Sequence, residues 1–440
     1  MFDRIFVPEP FRNALSDAAW LQAMLDVEVA LAAALARAGV IPADAARAIA
    51  EACRTEQFDP AAIGDAGRTA GNPVEPLVRR LTEAVEGGAA DYVHWGATSQ
   101  DIVDTAAMLI SRRLLDLIVE ALDAVATQCA GLAENHRSTV MAGRTMLQQA
   151  VPTTFGLKAA GWLVGVLEAK RVLAQVREER LAVQLGGAAG TLSALGDGGP
   201  EVIRLLAEEL GLREPVAPWH TNRVRIAELG AALAVAAGAV AKIALDVGLM
   251  SQTEVGEVSE AGAGGSSTMP QKRNPVGSAL ALACARQVHA QAAVLTGALP
   301  QEHERALGAW HAEWPALSGA LAFTGGAAEA GCRALDGLEV DVDRMRANLE
   351  LAGGLVMAES ASFVLAERLG RREARELVVE AAQRSRDSGR SLRDELGADD
   401  RVDSADLEAG LDPEAYLGSA GVFVDRALAL YSEQQRGARA

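Results

Sequence analysis

Apolar positions recur with helical spacing almost throughout this chain. After Ser16, a natural N-cap, Trp20, Ala23, Met24, Val27, Leu31, Ala34 and Leu35 fall on one face of a 3.6-residue repeat. Gly39 and Pro42 then end one helix and start the next. Residues 61–76 and 87–99 read as loops from their Gly, Pro, Asn and Ser content, and Thr98 or Ser99 caps a helix that begins near Asp101. From residue 106 the helical pattern runs to 137, with Met108, Leu115, Leu117, Ile118 and Val119 among its apolar positions. A break containing Pro152 follows, then a helix over 154–183, a Gly-rich loop at 186–199, and two very apolar helices at 222–252 and 276–298.

Helices of roughly 25 to 30 residues are long against a globular mean of about 11–12. They are apolar nearly all round, so they need cover on several sides, as in a bundle or a bundle shared between subunits. After Gly353-Gly354 the composition changes, and residues 370–400 are amphipathic and rich in Arg and Glu. The expected organisation is all-α, with an N-terminal helical domain (1–105), a central long-helix bundle (106–352) and a small C-terminal helical domain (353–440).

Composition sharpens this in a few places. Abundant Ala and Leu favour helix, and aromatic residues make up only 4% of the chain. The formal charge of −18 disfavours nucleic acid and anionic membrane surfaces as partners. The longest uncharged apolar stretch, Leu229 to Ala241, is thirteen residues, which suits a core helix better than a membrane span. Cys53, Cys129, Cys284 and Cys332 are far apart, with no paired spacing, and read as free thiols of a cytoplasmic protein. The N-terminus lacks a basic region followed by an apolar one, so no signal peptide is expected. Arginine supplies 37 of the 41 cations; the four lysines are Lys158, Lys170, Lys242 and Lys272.

Lys272 lies in the most unusual segment, GAGGSSTMPQKRNP at 262–275, between two long helices. Three glycines give a mobile backbone, and Ser266 and Ser267 offer hydroxyls. Lys272, Arg273 and Asn274 add two cations and an amide. That set suits a carboxylate-rich substrate and an enolate-like charge. A solvated Gly/Ser linker has the same composition. A phosphate loop does not fit, because GxxxxGK[ST] is absent.

The motif GSSTMPQKRNP at 265–275 resembles the signature of the fumarase/aspartase superfamily, which includes argininosuccinate and adenylosuccinate lyases. HWGATSQDIVDT at 94–105 and GRTMLQQAVPTTFG at 143–156 resemble its other two regions, in the same order. The resemblance covers nearly the whole chain. It implies a three-domain all-α subunit, a homotetramer, and active sites each assembled from three subunits. One departure is informative. Members that release amines or hydroxyls usually carry His after GRT, where it helps to protonate the leaving group; this chain has Met146. QEHERALGAWHAEW at 301–314 and PWHTNR at 218–223 are similar to the carboxymuconate-cycloisomerase branch instead.

The chemistry of that branch accounts for the missing His. In lactonisation a substrate carboxylate attacks the substrate's own double bond. A carboxylate is already ionised at neutral pH, so it needs no base, and in reverse it leaves as a stable anion. One proton remains, at the carbon beside another carboxylate. The resemblance places Ser266 at that proton transfer. It also makes Lys272 the group that tunes Ser266 and, with Asn274 and loop N–H groups, holds the aci-carboxylate intermediate. The implied substrate-binding set is His94, Thr98 and Ser99 from the first region, Arg144, Thr145 and Gln148 from the second, and Ser267, Met269 and Asn274 from the third. A tricarboxylate calls for several bidentate cations, so Arg223, Arg225 and Arg305 join Arg144 as candidates. Each has an alternative: ion pairing for the arginines, helix capping for Thr98 and Ser99, and a structural hydrogen bond for His94.

No cofactor is expected. His303, Glu304, His311 and Glu313 lack metal-ligand spacing, and GGAAG at 186–190 is not a dinucleotide fingerprint. Asp101, Asp104 and Glu302 read as capping and ion-pairing residues, and Trp310 with Trp314 as helix packing. Two competing readings stay open. One is an elimination lyase releasing fumarate from a substituted succinate, as adenylosuccinate or nitrosuccinate lyases do. The other is a binding protein that has kept the fold without its chemistry.

Overall fold

The computed structural model describes residues 1–437, except 263, 266–268, 270 and 271. The chain is all-α, with three short two-stranded antiparallel ribbons among the described residues. Five long helices dominate it: Ser99–Asn135, Phe155–Glu179, Val224–Met250, Val276–Gly297 and Ala309–Leu335. The chain divides into two compact units, and every boundary between them falls inside one of these helices.

The first unit comprises 1–122, 168–241 and 280–330. Ser16 caps helix Asp17–Arg37 as expected, its side chain accepting from the Ala19 N–H. The apolar stripe of that helix buries Leu21, Leu25, Leu31 and Leu35, and packs against helices Ala43–Ala52 and Gly199–Leu210. Each such leucine contributes about 1.5–3 kcal/mol of burial. Residues 61–76 are not the loop their composition suggests. Asp59 caps a helix, Pro60–Ala70, whose first residue is Pro, where a missing N–H costs nothing. Gly67 approaches Asn72 closely; a Cβ there would lie 3.1 Å from the Asn72 carbonyl oxygen. The break is confined to Gly71-Asn72-Pro73, where Gly71 takes φ 73° and Asn72 Oδ1 accepts from Val74 and Glu75.

Gly325 and Gly326 give the N-terminal segment its seat. A Cβ on Gly325 would collide with the Phe11 ring, and one on Gly326 with the Phe6 carbonyl oxygen. Helices Asp17–Arg37 and Val224–Met250 are, by length and composition, apolar enough to cross a membrane. The second extends well beyond the thirteen uncharged residues seen in sequence. Its positions Ile226, Leu229, Leu233, Val240, Ile243 and Val247 are buried, as in a core helix.

The second unit comprises 123–167, 242–279 and 331–440. The break around Pro152 is a β-hairpin, Val140–Thr145 paired with Gln148–Thr154, with an irregularity between Ala142 and Arg144. Helix Val342–Glu350 packs on it. The Arg- and Glu-rich C-terminal stretch forms helices Ala358–Leu369 and Arg371–Ser388, packed through Ala361, Leu365, Leu377, Val378 and Ala381.

Candidate functional site

The sequence-selected residues fall into two groups, one in each unit. In the first unit they surround the turn at 93–98 and the start of helix Ser99–Asn135. His94 sits at φ 58°, a left-handed conformation that non-glycine residues rarely adopt. Its Nδ1 lies 2.6 Å from Glu28 Oε1. Burial lowers the imidazole pKa, but Glu28 and then Asp101 raise it by more, so the net direction is upward. Sequence reading missed Glu28, a lone carboxylate within the apolar face of helix Asp17–Arg37. Its signal was an acid between Val27 and Leu31, which the helical period places in the core.

Behind the turn lies a buried polar network. Asp101 accepts from the Thr98, Gly186 and Gly187 N–H groups and lies 2.6 Å from His220 Nε2. Gly187 fits because a side chain there would meet the Gly96 carbonyl oxygen. Asp104 takes two hydrogen bonds from Arg223, at 2.7 and 2.9 Å, and one from Trp310 Nε1 at 3.0 Å. Glu313 binds the other side of the same guanidinium at 2.6 Å. Asp101 and Asp104 are thus tied into the fold as the sequence suggested, and Trp310 packs edge-on against Trp314.

Arg223, expected as a substrate cation, instead has a side chain 1% exposed and held between two carboxylates, the ion-pairing alternative. Asp104 and Glu313 outweigh the effect of burial and hold its pKa above the ordinary value. Arg305 and Arg225 differ from it. Arg305 donates to the Gln100 side chain and to the Gly187 and Ala188 carbonyls, and Arg225 donates to the Arg180 carbonyl while stacking 4.7 Å over Trp219. Neither forms a carboxylate ion pair among the described residues. Burial, followed by Arg180 and Arg223, lowers the Arg225 pKa, the state of a cation short of anions. The Thr98 and Ser99 hydroxyls make no hydrogen bond among the described residues. The cap of this helix comes instead from Asp101, through the Thr98 N–H. The fold therefore brings His94, Thr98, Ser99 and Arg305 into one neighbourhood.

The metal-like set is dispersed. Glu313 serves Arg223, and His311 Nε2 meets the Gly71 carbonyl. Among the described residues, no group of three His, Cys, Asp or Glu side chains is placed to hold a metal.

In the second unit, Thr145 and Gln148 flank a two-residue hairpin turn. Met146 and Leu147 both have positive φ, 52° and 64°, the geometry of a type I′ turn, which normally selects Asn and Gly. Met146 is 96% exposed and Leu147 76%. Arg144 grips the fully buried Glu257 bidentately at 2.8 and 2.6 Å, the ion-pairing alternative to a substrate contact. Asn348 also donates to Glu257. Lys158 is partly buried, which lowers its pKa, and Asp246 at 4.0 Å only partly offsets this.

The signature segment is held at its base. The buried Glu260 accepts from the Gly277 and Ser278 N–H groups, both at 2.8 Å, and from the Ser278 hydroxyl. It neutralises the first-turn donors of helix Val276–Gly297. Gly264–Gly265 pairs with Arg273–Asn274, and Arg273 binds Glu339 at 2.8 Å. Lys272 and Met269 are exposed, and Asn274 is partly buried. Lys272, Arg273 and Asn274 line a cavity of about 840 Å³ with Ser251, Ser259 and Asp341. Ser266 and Ser267 lie outside the described residues. Sequence reading also missed Glu257 and Glu260.

Comparison with known proteins gives consistent relatives. A family profile described as lyase matches residues 8–290, and one described as adenylosuccinate lyase C-terminus matches 354–427. The 3-carboxy-cis,cis-muconate cycloisomerase of Pseudomonas aeruginosa is 47% identical over 98% of this chain and 96% of its own. The nitrosuccinate lyase of Streptomyces davaonensis is 48% identical over 95% of this chain and 92% of its own. The crystal structure of the 3-carboxy-cis,cis-muconate lactonizing enzyme from Pseudomonas putida superimposes with a TM-score of 0.93 at 43% identity, covering 98% of this chain and 99% of that one.

Proposed function

This chain belongs to the lyase family, and we propose that within it the protein is a cycloisomerase that closes 3-carboxy-cis,cis-muconate to 4-carboxymuconolactone, a step of protocatechuate breakdown. The observation that carries this reading is near-full-length similarity to cycloisomerases of several bacteria, together with Met146 in place of an acid. A thioether transfers no proton, and this reaction has no leaving group that needs one.

The substrate carboxylate forms a C–O bond to its own alkene, and the displaced electron pair moves into the neighbouring carboxylate. Ser266 delivers the single proton to the carbon alpha to that carboxylate. Lys272, Asn274 and loop N–H groups hold the aci-carboxylate charge. Of the four arginine candidates, Arg305 and Arg225 are the substrate cations, because Arg144 and Arg223 already carry buried carboxylates. His94, Thr98, Ser99, Thr145, Gln148, Ser267 and Met269 complete the binding set. The active unit is a homotetramer with sites shared by three subunits, built on the central segment 106–352. Exposed apolar Val224, Val235, Leu245 and Leu249 on one long helix, and the bare Met146–Leu147 turn, support cover by other copies. The buried thiols Cys53 and Cys129, in no disulfide, support the cytoplasm.

The nitrosuccinate lyase relative supports a second reading. Nitrite also departs as a weakly basic anion, so it too needs no proton from position 146. The deciding experiment follows the ultraviolet absorbance of 3-carboxy-cis,cis-muconate, whose conjugated diene is lost on lactonisation. Rapid loss that EDTA does not affect supports the cycloisomerase. No loss from folded tetramer, with fumarate and nitrite released from nitrosuccinate, replaces it with the second reading.

A further inference from the structure

We propose that Glu28 is a positioning residue: by accepting the Nδ1–H of His94 it keeps the ring an imidazolium and leaves Nε2–H as a fixed donor for a substrate carboxylate. The proposal rests on the reading above only in placing His94 at the substrate.

The geometry supports it at each step. Glu28 is 1% exposed, and its Oε1 lies 2.6 Å from His94 Nδ1. A buried carboxylate is retained only if something compensates its charge. Helix Asp17–Arg37 surrounds Glu28 with Leu25, Val27 and Leu31, so the imidazolium is its compensating cation. The His94 side chain is 16% exposed, and its Nε2 has no hydrogen-bond partner among the described residues. The left-handed φ of His94 is a cost that a mere loop residue would avoid. The turn cannot relax, because Gly96 closes on Leu195 and Gly187 on the Gly96 carbonyl. The other charged group facing the ring is Asp101, from helix Ser99–Asn135, itself saturated by three N–H groups and His220. The Cys53 thiol also feels Glu28; burial, then Glu28 and Asp26, push it up to about 12, so it stays neutral. Among the described residues, Glu28 is the hydrogen-bond partner of the His94 Nδ1.

The chemistry suits a polycarboxylate. An imidazolium anchored on one nitrogen offers the other as a charge-assisted donor in a fixed direction. If protonated His94 is required, kcat/KM falls as pH rises through the raised His94 pKa, and weakening Glu28 moves that fall to lower pH.

The test uses the full-length oligomer with labelled histidine and reads His94 by NMR, assigned through His94→Gln. Wild type is expected to titrate above the ordinary imidazole value of about 6.5, and Glu28→Gln to lower it by about one pH unit or more. The alkaline limb of kcat/KM should shift by the same amount, with roughly tenfold lower activity at the former optimum. Glu28→Asp should restore most of both. An unchanged His94 titration in Glu28→Gln, or a loss of activity equal at every pH, overturns the proposal in favour of a packing role. If Glu28→Gln does not fold, wild type decides: His94 titrating below the ordinary value overturns the proposal, and an alkaline limb that His94→Gln abolishes upholds it. The NMR reading does not depend on which substrate is turned over, so a failed cycloisomerase assay leaves this result standing.

Discussion

The turn at 93–98 and the segment at 262–275 carry comparable amounts of the expected chemistry, yet they are built in opposite ways. The first is over-determined. Asp101, Asp104, Glu28 and Glu313 are buried carboxylates, and each has a cation, a helix N-terminus or backbone N–H groups to answer it. Among its described residues, the second is held by Glu260, by the Arg273–Glu339 pair and by the pairing of Gly264–Gly265 with Arg273–Asn274, and Lys272 and Met269 are exposed. A buried polar network of this kind holds the direction of the side chains it surrounds.

The sharpest way to break this contrast is to remove one charge from the rigid network. Arg223→Leu leaves Asp104 and Glu313 buried without their cation, and should cost roughly 3–5 kcal/mol in urea unfolding. The same class of change in the signature segment should barely affect stability. Ser266→Ala should instead lower kcat by about 10³-fold, near 4 kcal/mol of barrier, with an unchanged oligomer by sedimentation. Normal turnover by that variant removes Ser266 from the mechanism. Glu260→Ala falls between the two: it strips the cap from helix Val276–Gly297, and should cost about 1–2 kcal/mol and raise KM more than it lowers kcat.

Two smaller effects refine the picture. Because folding raises the His94 pKa, its pairing with Glu28 contributes stability in full below the unfolded value of about 6.5, and loses it as pH rises through the folded one. A thermal scan across this range should show a decline that Glu28→Gln removes. Met146→Gly should relieve a left-handed residue and alter stability by no more than about 1 kcal/mol. A larger loss would mean that the exposed thioether is held by another copy of the chain.

The helices were legible because their pattern is long and periodic. The helix seen as 222–252 is Val224–Met250, and that seen as 276–298 is Val276–Gly297. Helix Pro60–Ala70 was hidden by Gly64 and Gly67; the small size of Gly67 serves a close approach rather than a turn. The hairpin around Pro152 was hidden because Met146 and Leu147 occupy a turn that seldom takes such residues. At the site, the segments could be found by motif, but the state of each charge could not. Arg144 and Arg223 resemble Arg305 and Arg225 in sequence, and only burial beside Glu257, Asp104 and Glu313 separates them. Glu28 escaped for the same reason: its partner lies 66 positions away, and no local spacing announces it.

The glycine pair in helix Ala309–Leu335 also bears on how the chain is made. Phe6 and Phe11 leave the ribosome more than three hundred residues before the seat that receives them, Gly325 and Gly326. The segment around Phe6 and Phe11 therefore waits for more than three hundred residues of synthesis before it can settle. A nascent fragment that stops short of Gly325 keeps these two aromatic residues unhoused, however much helix it has already wound.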